Sequence, residues 1–225
     1  RGRGLGVHQP IVVRADVEVG GGDDGEVLDE EMDEKDEELK SKNYTVLDTL
    51  TEGYSTEGIS KMVYLYSPTQ PGKLVFEKGD NAPSRGPILP LATEKALEVL
   101  QKDTNGFFMM VEGSQIDWGG HNNDSPYIIR EMIDFDNAIK KVLDYADKDG
   151  ETLVIITADH ETGGYAIIDG NLDGSNLVGG FSTLKHSASM IPVFAYGQGA
   201  GNFAGIYDNT QIFYKMMEAF QFPVD

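Results

Sequence analysis

Cysteine is absent from the 225 residues, which excludes a disulfide framework and any thiolate chemistry. No apolar run approaches the roughly 18 residues that a membrane span requires, and the opening Arg1-Gly-Arg-Gly-Leu-Gly lacks the apolar core of a secretion signal. Basic residues are scarce, with 18 Lys and Arg against 38 Asp and Glu and a formal charge of −20. Such a chain has little to offer a nucleic-acid backbone or an anionic bilayer. A small anion can still be held where metal cations reverse the local field. Histidine is rare too, at four residues, so the place of each one is informative. What remains is ordinary for a globular protein. Hydrophobic residues make up 40%, and the length suffices for one substantial domain with a sizeable core.

Residues 1–43 stand apart as an atypical acidic stretch, and residues 44–225 read as the folded body. Short strands are expected at 11–13 and 17–19. The acidic run 23–38 reads either as a solvated helix, with Val27, Leu28, Met32 and Leu39 on one stripe, or as a disordered segment. β-Branched and aromatic residues predict strands over 44–50 and 62–66. Helical spacing of Ala92, Ala96, Val99 and Leu100 predicts a helix from about Leu91 to before Gly106. After it come an apolar run at 107–111, an amphipathic pattern over 128–146, a second apolar run at 152–157, a Gly-rich excursion at 163–185 and a third apolar run at 191–195. The three runs fit buried parallel strands, and the excursion fits a surface hairpin. A last helix, capped by Asp208 or Asn209, runs to Phe220. Strand alternating with helix is the grammar of an α/β layered fold, whose ligands sit at the carboxyl ends of the strands.

Residues of metal-ligand type stand at those ends. Glu112 directly follows the run 107–111, with Asp117 and His121 just beyond it. Residues four apart share a helix face, so one turn can aim Asp117 and His121 at one point, and Gly113, Gly119 and Gly120 permit sharp backbone turns. Carboxylate with imidazole suits zinc, and a carboxylate alone suits a harder ion such as magnesium. Asp159 and His160 follow the run 152–157. Neighbours on a regular strand point to opposite faces, so these two share a metal only if the strand has already opened. His186 precedes the third run, between small polar residues. Each cluster taken singly is also what a polar loop shows. Together, three of the four histidines, two Asp and one Glu beside the strands of one sheet could furnish a multi-metal centre of the kind used in phosphoryl transfer. His8 lies apart.

The blocks Glu112-Gly-Ser-Gln-Ile-Asp117-Trp-Gly-Gly-His121, Thr157-Ala-Asp159-His160-Glu-Thr-Gly-Gly and Lys185-His186-Ser-Ala-Ser-Met-Ile-Pro-Val-Phe-Ala-Tyr-Gly resemble, in order, three motifs of the alkaline phosphatase family, its bacterial members above all. The likeness covers roughly residues 94–220 and fades upstream. It implies an α/β fold, a three-layer α/β/α sandwich around a mostly parallel sheet. It implies two zinc ions and one magnesium ion: Asp117, His121 and His186 on the first zinc, Asp159 and His160 on the second, Glu112 on the magnesium. Trp118 stands where other members carry Lys or His and would tune the phosphate site. The implied partners are small phosphate monoesters and inorganic phosphate, the implied assembly a homodimer, and the implied location periplasmic or extracellular. The sequence departs from the pattern in lacking the Asp-Ser-Ala-like motif of the serine nucleophile. The expectation is therefore the carboxyl-terminal portion of an alkaline phosphatase. The alternatives are a catalytically incomplete metal- or phosphate-binding fragment, or a related phosphodiesterase, sulfatase or mutase.

Overall fold

A computed structural model describes residues 11–13, 37–47, 49–64, 74 and 86–223. The expected strand at 17–19 and the acidic run, apart from residues 37 and 38, lie outside the described residues. The chain divides into two units, Arg1–Ser114 with Arg130–Ile139, and Gln115–Ile129 with Lys140–Asp225.

The first unit is organised around helix α1, Ile88–Leu100. It begins three residues before the expected Leu91 and takes Pro90 into its first turn, where the missing N–H would have found no partner anyway. One face carries Leu89, Ala96, Leu97, Val99 and Leu100, each at most 8% exposed. Full burial of a Leu or Val side chain contributes roughly 1.5–3 kcal/mol before chain entropy is counted. Polar groups packed with the helix are paired. Lys95 Nζ donates to Glu98 Oε1 at 2.9 Å, and Thr56 Oγ1 donates to Glu98 Oε2 at 3.0 Å. Burial pushes the Glu98 carboxyl up, but the hydrogen bonds from Lys95 and Thr56 and the charges of Lys95 and Lys102 together outweigh it and hold it below the ordinary value. Strand β1 (Ile11–Val13) pairs in parallel with β4 (Met109–Val111), and β2 (Thr45–Leu47) with β3 (Met62–Tyr64).

In the second unit, the seven-residue helix α2 (Gln115–His121) leads into α3 (Ser125–Asp149), whose middle turns belong to the first unit. Asp124 caps α3, accepting a bond from Tyr127 N at 3.0 Å, and Gly150 ends it in a left-handed conformation at φ 73°. Beyond α3 the pairings nest. β5 (Val154–Ile156) pairs with β10 (Phe194–Tyr196), β6 (Glu161–Thr162) with β9 (His186–Ser187), and β7 (Ala166–Asp169) with β8 (Val178–Gly180), all antiparallel. The expected surface hairpin in 163–185 is the innermost pair. The short 3-10 turn Ala200–Phe203 and helix α4 (Gln211–Ala219) complete the unit.

Three expectations need correction among the described residues. The described ladders are five pairs, two parallel and three antiparallel, and the runs at 152–157 and 191–195, expected as parallel strands, pair with each other antiparallel. Apolar runs report burial but not direction, and a chain that returns through nested hairpins must come back antiparallel. The third run does not form its strand at 191–195. Pro192 cannot donate to a ladder, so pairing starts at Phe194, which is 61% exposed rather than buried. In the same way, Asp208 does not cap α4. Its carboxylate accepts from the backbone N–H and the hydroxyl of Thr210, closing a local turn, and the helix starts at Gln211.

Candidate metal centre

The second unit brings three donors together. Asp117 and His121 lie one turn apart on α2, and His186 enters from β9. The Nε2 atoms of His121 and His186 are 3.1 Å apart, and the Asp117 carboxylate presents Oδ2 to His121 at 3.4 Å and Oδ1 to His186 at 3.5 Å. Tetrahedral zinc with bonds of about 2.0–2.1 Å sets its donors about 3.3–3.4 Å apart. The contacts within this group, 3.1, 3.4 and 3.5 Å, lie near that edge, the two from Asp117 starting at different carboxylate oxygens. The group's side chains are 35–49% exposed, so a fourth vertex would be open to solvent.

Polarity favours the same reading. His121 Nδ1 lies 2.8 Å from the Leu184 carbonyl, which can only accept, so neutral His121 carries its proton on Nδ1. Its Nε2 then offers a lone pair to the centre of the triangle, the arrangement typical of metal-bound imidazole. The residues present thus fit a zinc ion.

Asp159 and His160 lie beside this group. The strand opens after Ile156, as the sharing of one metal requires, and His160 Nε2 lies 3.1 Å from Asp159 Oδ2. The His160 ring stacks on His186 with centroids 3.5 Å apart and planes 19° from parallel. Five of the expected ligands are therefore neighbours in one unit. Glu112 follows β4 in the first unit. Trp118, next to Asp117 on α2, is 41% exposed.

The supports of this group are less visible in sequence. β6 and β9 pair with Glu161 opposite Ser187 and Thr162 opposite His186. Directly opposed residues share a face, so one face carries Thr162 and His186 toward α2. On the other, Ser187 donates to a Glu161 oxygen, whose partner oxygen accepts from Tyr165 N at 3.1 Å. Glu161 thereby holds the strand that bears His186. Thr162 donates to Asp117. Gly119 and Gly120 serve close approach rather than sharp turns. A Cβ on Gly119 would lie 2.9 Å from Ile128 Cγ1, and one on Gly120 would lie 2.8 Å from Thr162 O. The alternation of side chains on a two-residue strand could have pointed to Glu161 and Thr162, but only with the register known.

Comparison with known proteins adds a family. The model of the alkaline phosphatase family matches residues 12–180. Alkaline phosphatase 3 of Bacillus subtilis is 32% identical over 208 residues, covering 61% of this chain and 45% of that protein. Alkaline phosphatase of Escherichia coli is 34% identical over 149 residues, covering 59% of this chain and 32% of its own length. The solved alkaline phosphatase of the Antarctic bacterium TAB5 superposes with a TM-score of 0.73 at 43% identity, over 83% of this chain and 54% of that one. Variants of the TAB5 enzyme have been solved with Mg in a site designated M3. The chain spans about half the length of these relatives, or less.

Proposed function

The chain belongs to the alkaline phosphatase family, and from that premise we propose that it forms the carboxyl-terminal part of an enzyme that hydrolyses phosphate monoesters at alkaline pH. The observation that carries the proposal is that Asp117, His121 and His186 each bring a donor atom within 4.8 Å of the others, with side-chain contacts of 3.1, 3.4 and 3.5 Å among them. In this reading those three hold a first zinc, Asp159 and His160 contribute to a second, and Glu112 belongs to a magnesium site. Zinc ions so placed lower the pKa of a water or hydroxyl and neutralise charge on the phosphoryl oxygens.

The chain's own residues orient and exclude. His121, held by the Leu184 carbonyl, keeps a lone pair on the centre. Glu161 and Ser187 fix the strand under His186. Trp118, exposed and next to Asp117 on α2, would tune the approach of phosphate. The serine nucleophile lies in the part of the parent that this chain does not span. The parent has the three-layer α/β/α architecture, takes small phosphate monoesters and releases inorganic phosphate, pairs as a homodimer, and works in the periplasm or outside the cell. Residues 44–225 form the body of this portion.

The test is hydrolysis of a chromogenic phosphate monoester by the 225-residue chain at alkaline pH, with zinc and magnesium supplied and a chelator control, alongside a zinc titration. Zinc binding without turnover is expected. Turnover that a chelator abolishes would show that a nucleophile, or a directly attacking metal hydroxide, lies within these residues. Failure to bind zinc would overturn the metal assignment.

A further inference from the structure

Helix α2 ends in a turn whose key residue does more than the turn asks. Asn123 N donates to Gly120 O at 3.0 Å and Asp124 N to Gly119 O at 3.0 Å, the paired bonds of a Schellman cap. Such a cap needs a left-handed residue where Asn123 stands at φ 51°, and glycine fills that place with least strain. Asparagine brings a side-chain amide instead. One end of that amide faces two carbonyl oxygens, Thr183 O and Gly120 O. Carbonyls only accept, so the amide nitrogen is the atom at that end, donating to Thr183 O at 2.8 Å and to Gly120 O at 3.0 Å. The next carbonyl along the chain, Leu184 O, lies 2.8 Å from His121 Nδ1. The end of α2 thus grips two consecutive carbonyls, one through a candidate ligand and one through Asn123. Just beyond them His186 enters the donor group from β9.

From this geometry we infer that Asn123 is a positioning residue. Its amide bridges the end of α2, which carries Asp117 and His121, to the chain that delivers His186, and so helps to set the distance across the three donors. The inference rests on the metal reading given above. Contacts apart from this amide bring the same two pieces together. Gly163 O accepts from Ser182 N at 3.0 Å and from Thr183 N at 3.1 Å. A Cβ on Gly163 would lie 3.0 Å from Gly120 O. The end of α2 and the segment before β9 therefore both lie against Gly163, and Asn123 closes the ring. Asn123 is exposed, so water competes for its amide. Its loss should therefore fall at the low end of the effects known for groups that orient metal ligands, about tenfold in affinity. An asparagine that merely ended the helix would be replaced by glycine without loss.

Two measurements separate these roles. The first is zinc titration against a chromogenic chelator. Asn123→Gly keeps the left-handed turn and removes only the amide. It should fold, and should bind zinc about tenfold more weakly than wild type. Asn122→Ala, one residue earlier, should bind zinc as wild type does. With cobalt in place of zinc, the visible bands of the Asn123→Gly chain should also shift, because displaced donors change the ligand field. A purely structural role would lower stability and leave those bands in place. The second measurement needs no variant. In the ¹⁵N-labelled, metal-free chain, both Nδ2 protons of Asn123 should exchange with water more slowly than those of Asn122. Asn123 protons that exchange as fast as those of Asn122 would overturn the inference. So would a folded Asn123→Gly chain with unshifted cobalt bands and zinc affinity within about twofold of wild type. An equal loss of affinity in Asn122→Ala would trace the effect to the turn in general and overturn it as well. A wild-type chain that binds no zinc yet protects the Asn123 protons would sink the metal reading and leave the bridge between α2 and Thr183 standing.

Discussion

Replacing Gly120 by alanine tests how tightly helix α2 is seated on the strand that carries Thr162. The added Cβ would lie 2.8 Å from Thr162 O and 2.9 Å from Thr162 Cβ and Cγ2. The obstructing atoms are backbone or lie close to it, so no flexible side-chain end can swing aside. Carbon atoms pack at about 3.5–4.0 Å, so helix and strand must part by roughly 0.6 Å or more. Metal–donor distances tolerate only about 0.2 Å. The separation carries Asp117 and His121 away from His186, because the first two ride on the helix and the last is paired to the strand. Zinc affinity should fall about 10–100-fold. Stability should change less. Alanine gains at most about 1 kcal/mol of helix propensity over glycine, and overpacking costs about 1–3 kcal/mol, for a net loss of about 0–2 kcal/mol. Chelator-competition titration gives the affinity, and urea unfolding without metal gives the stability. A folded Gly120→Ala chain that binds zinc within about twofold of wild type would refute the claim that this contact sets the donor triangle.

Other substitutions probe the frame around the site. Gly197→Ala would place a Cβ 2.2 Å from Thr152 O at φ 91° and should cost about 2–4 kcal/mol in thermal unfolding. The neighbouring Gly199→Ala, at φ 81° with nothing within 4 Å, should cost only about 1 kcal/mol of backbone strain. Asp124→Ala removes the cap of α3 and should cost about 1 kcal/mol, read from the urea midpoint. Glu98 has its pKa lowered in the folded chain, so its contribution is present above the ordinary carboxylate range and is lost as pH falls through the folded value. Its side chain is 35% exposed, which limits the effect to about 1 kcal/mol. Urea midpoints against pH should therefore show wild type ahead of Glu98→Gln at neutral pH, with the gap closing in acid.

Much of this was legible in the residues. The spacing of Asp117 and His121 put both on one helix face, and the structure has them on one short helix; the sharing of a metal by Asp159 and His160 required an opened strand, and the strand does end at Ile156. The long amphipathic helix at 128–146 was visible from its period, and its real limits, Ser125 and Asp149, follow from the Asp124 cap and from Gly150. Strand direction was not legible, because an apolar run looks the same whichever way its neighbour points. The burial of Phe194 was overread for a related reason, since a side chain's hydrophobicity does not say what covers it. Thr162 escaped notice because threonine is common in strands. Its part in the site depends on a register with His186 that no local pattern encodes.

The nesting of the three antiparallel pairs bears on how the chain assembles and where it can grow. The tip, where Asn171 and Ser175 close the turn, joins β7 to β8 through few residues, so this pair closes first at little entropic cost. Each closure shortens the loop left for the next pair outward, so Thr162 meets His186 by zippering rather than by a long search. The order also sets a tolerance. Extra residues inserted at the tip lengthen only the innermost loop, and doubling a loop costs only about 0.6 kcal/mol. The hairpin can thus be remodelled in length while the donors one ladder outward keep their register.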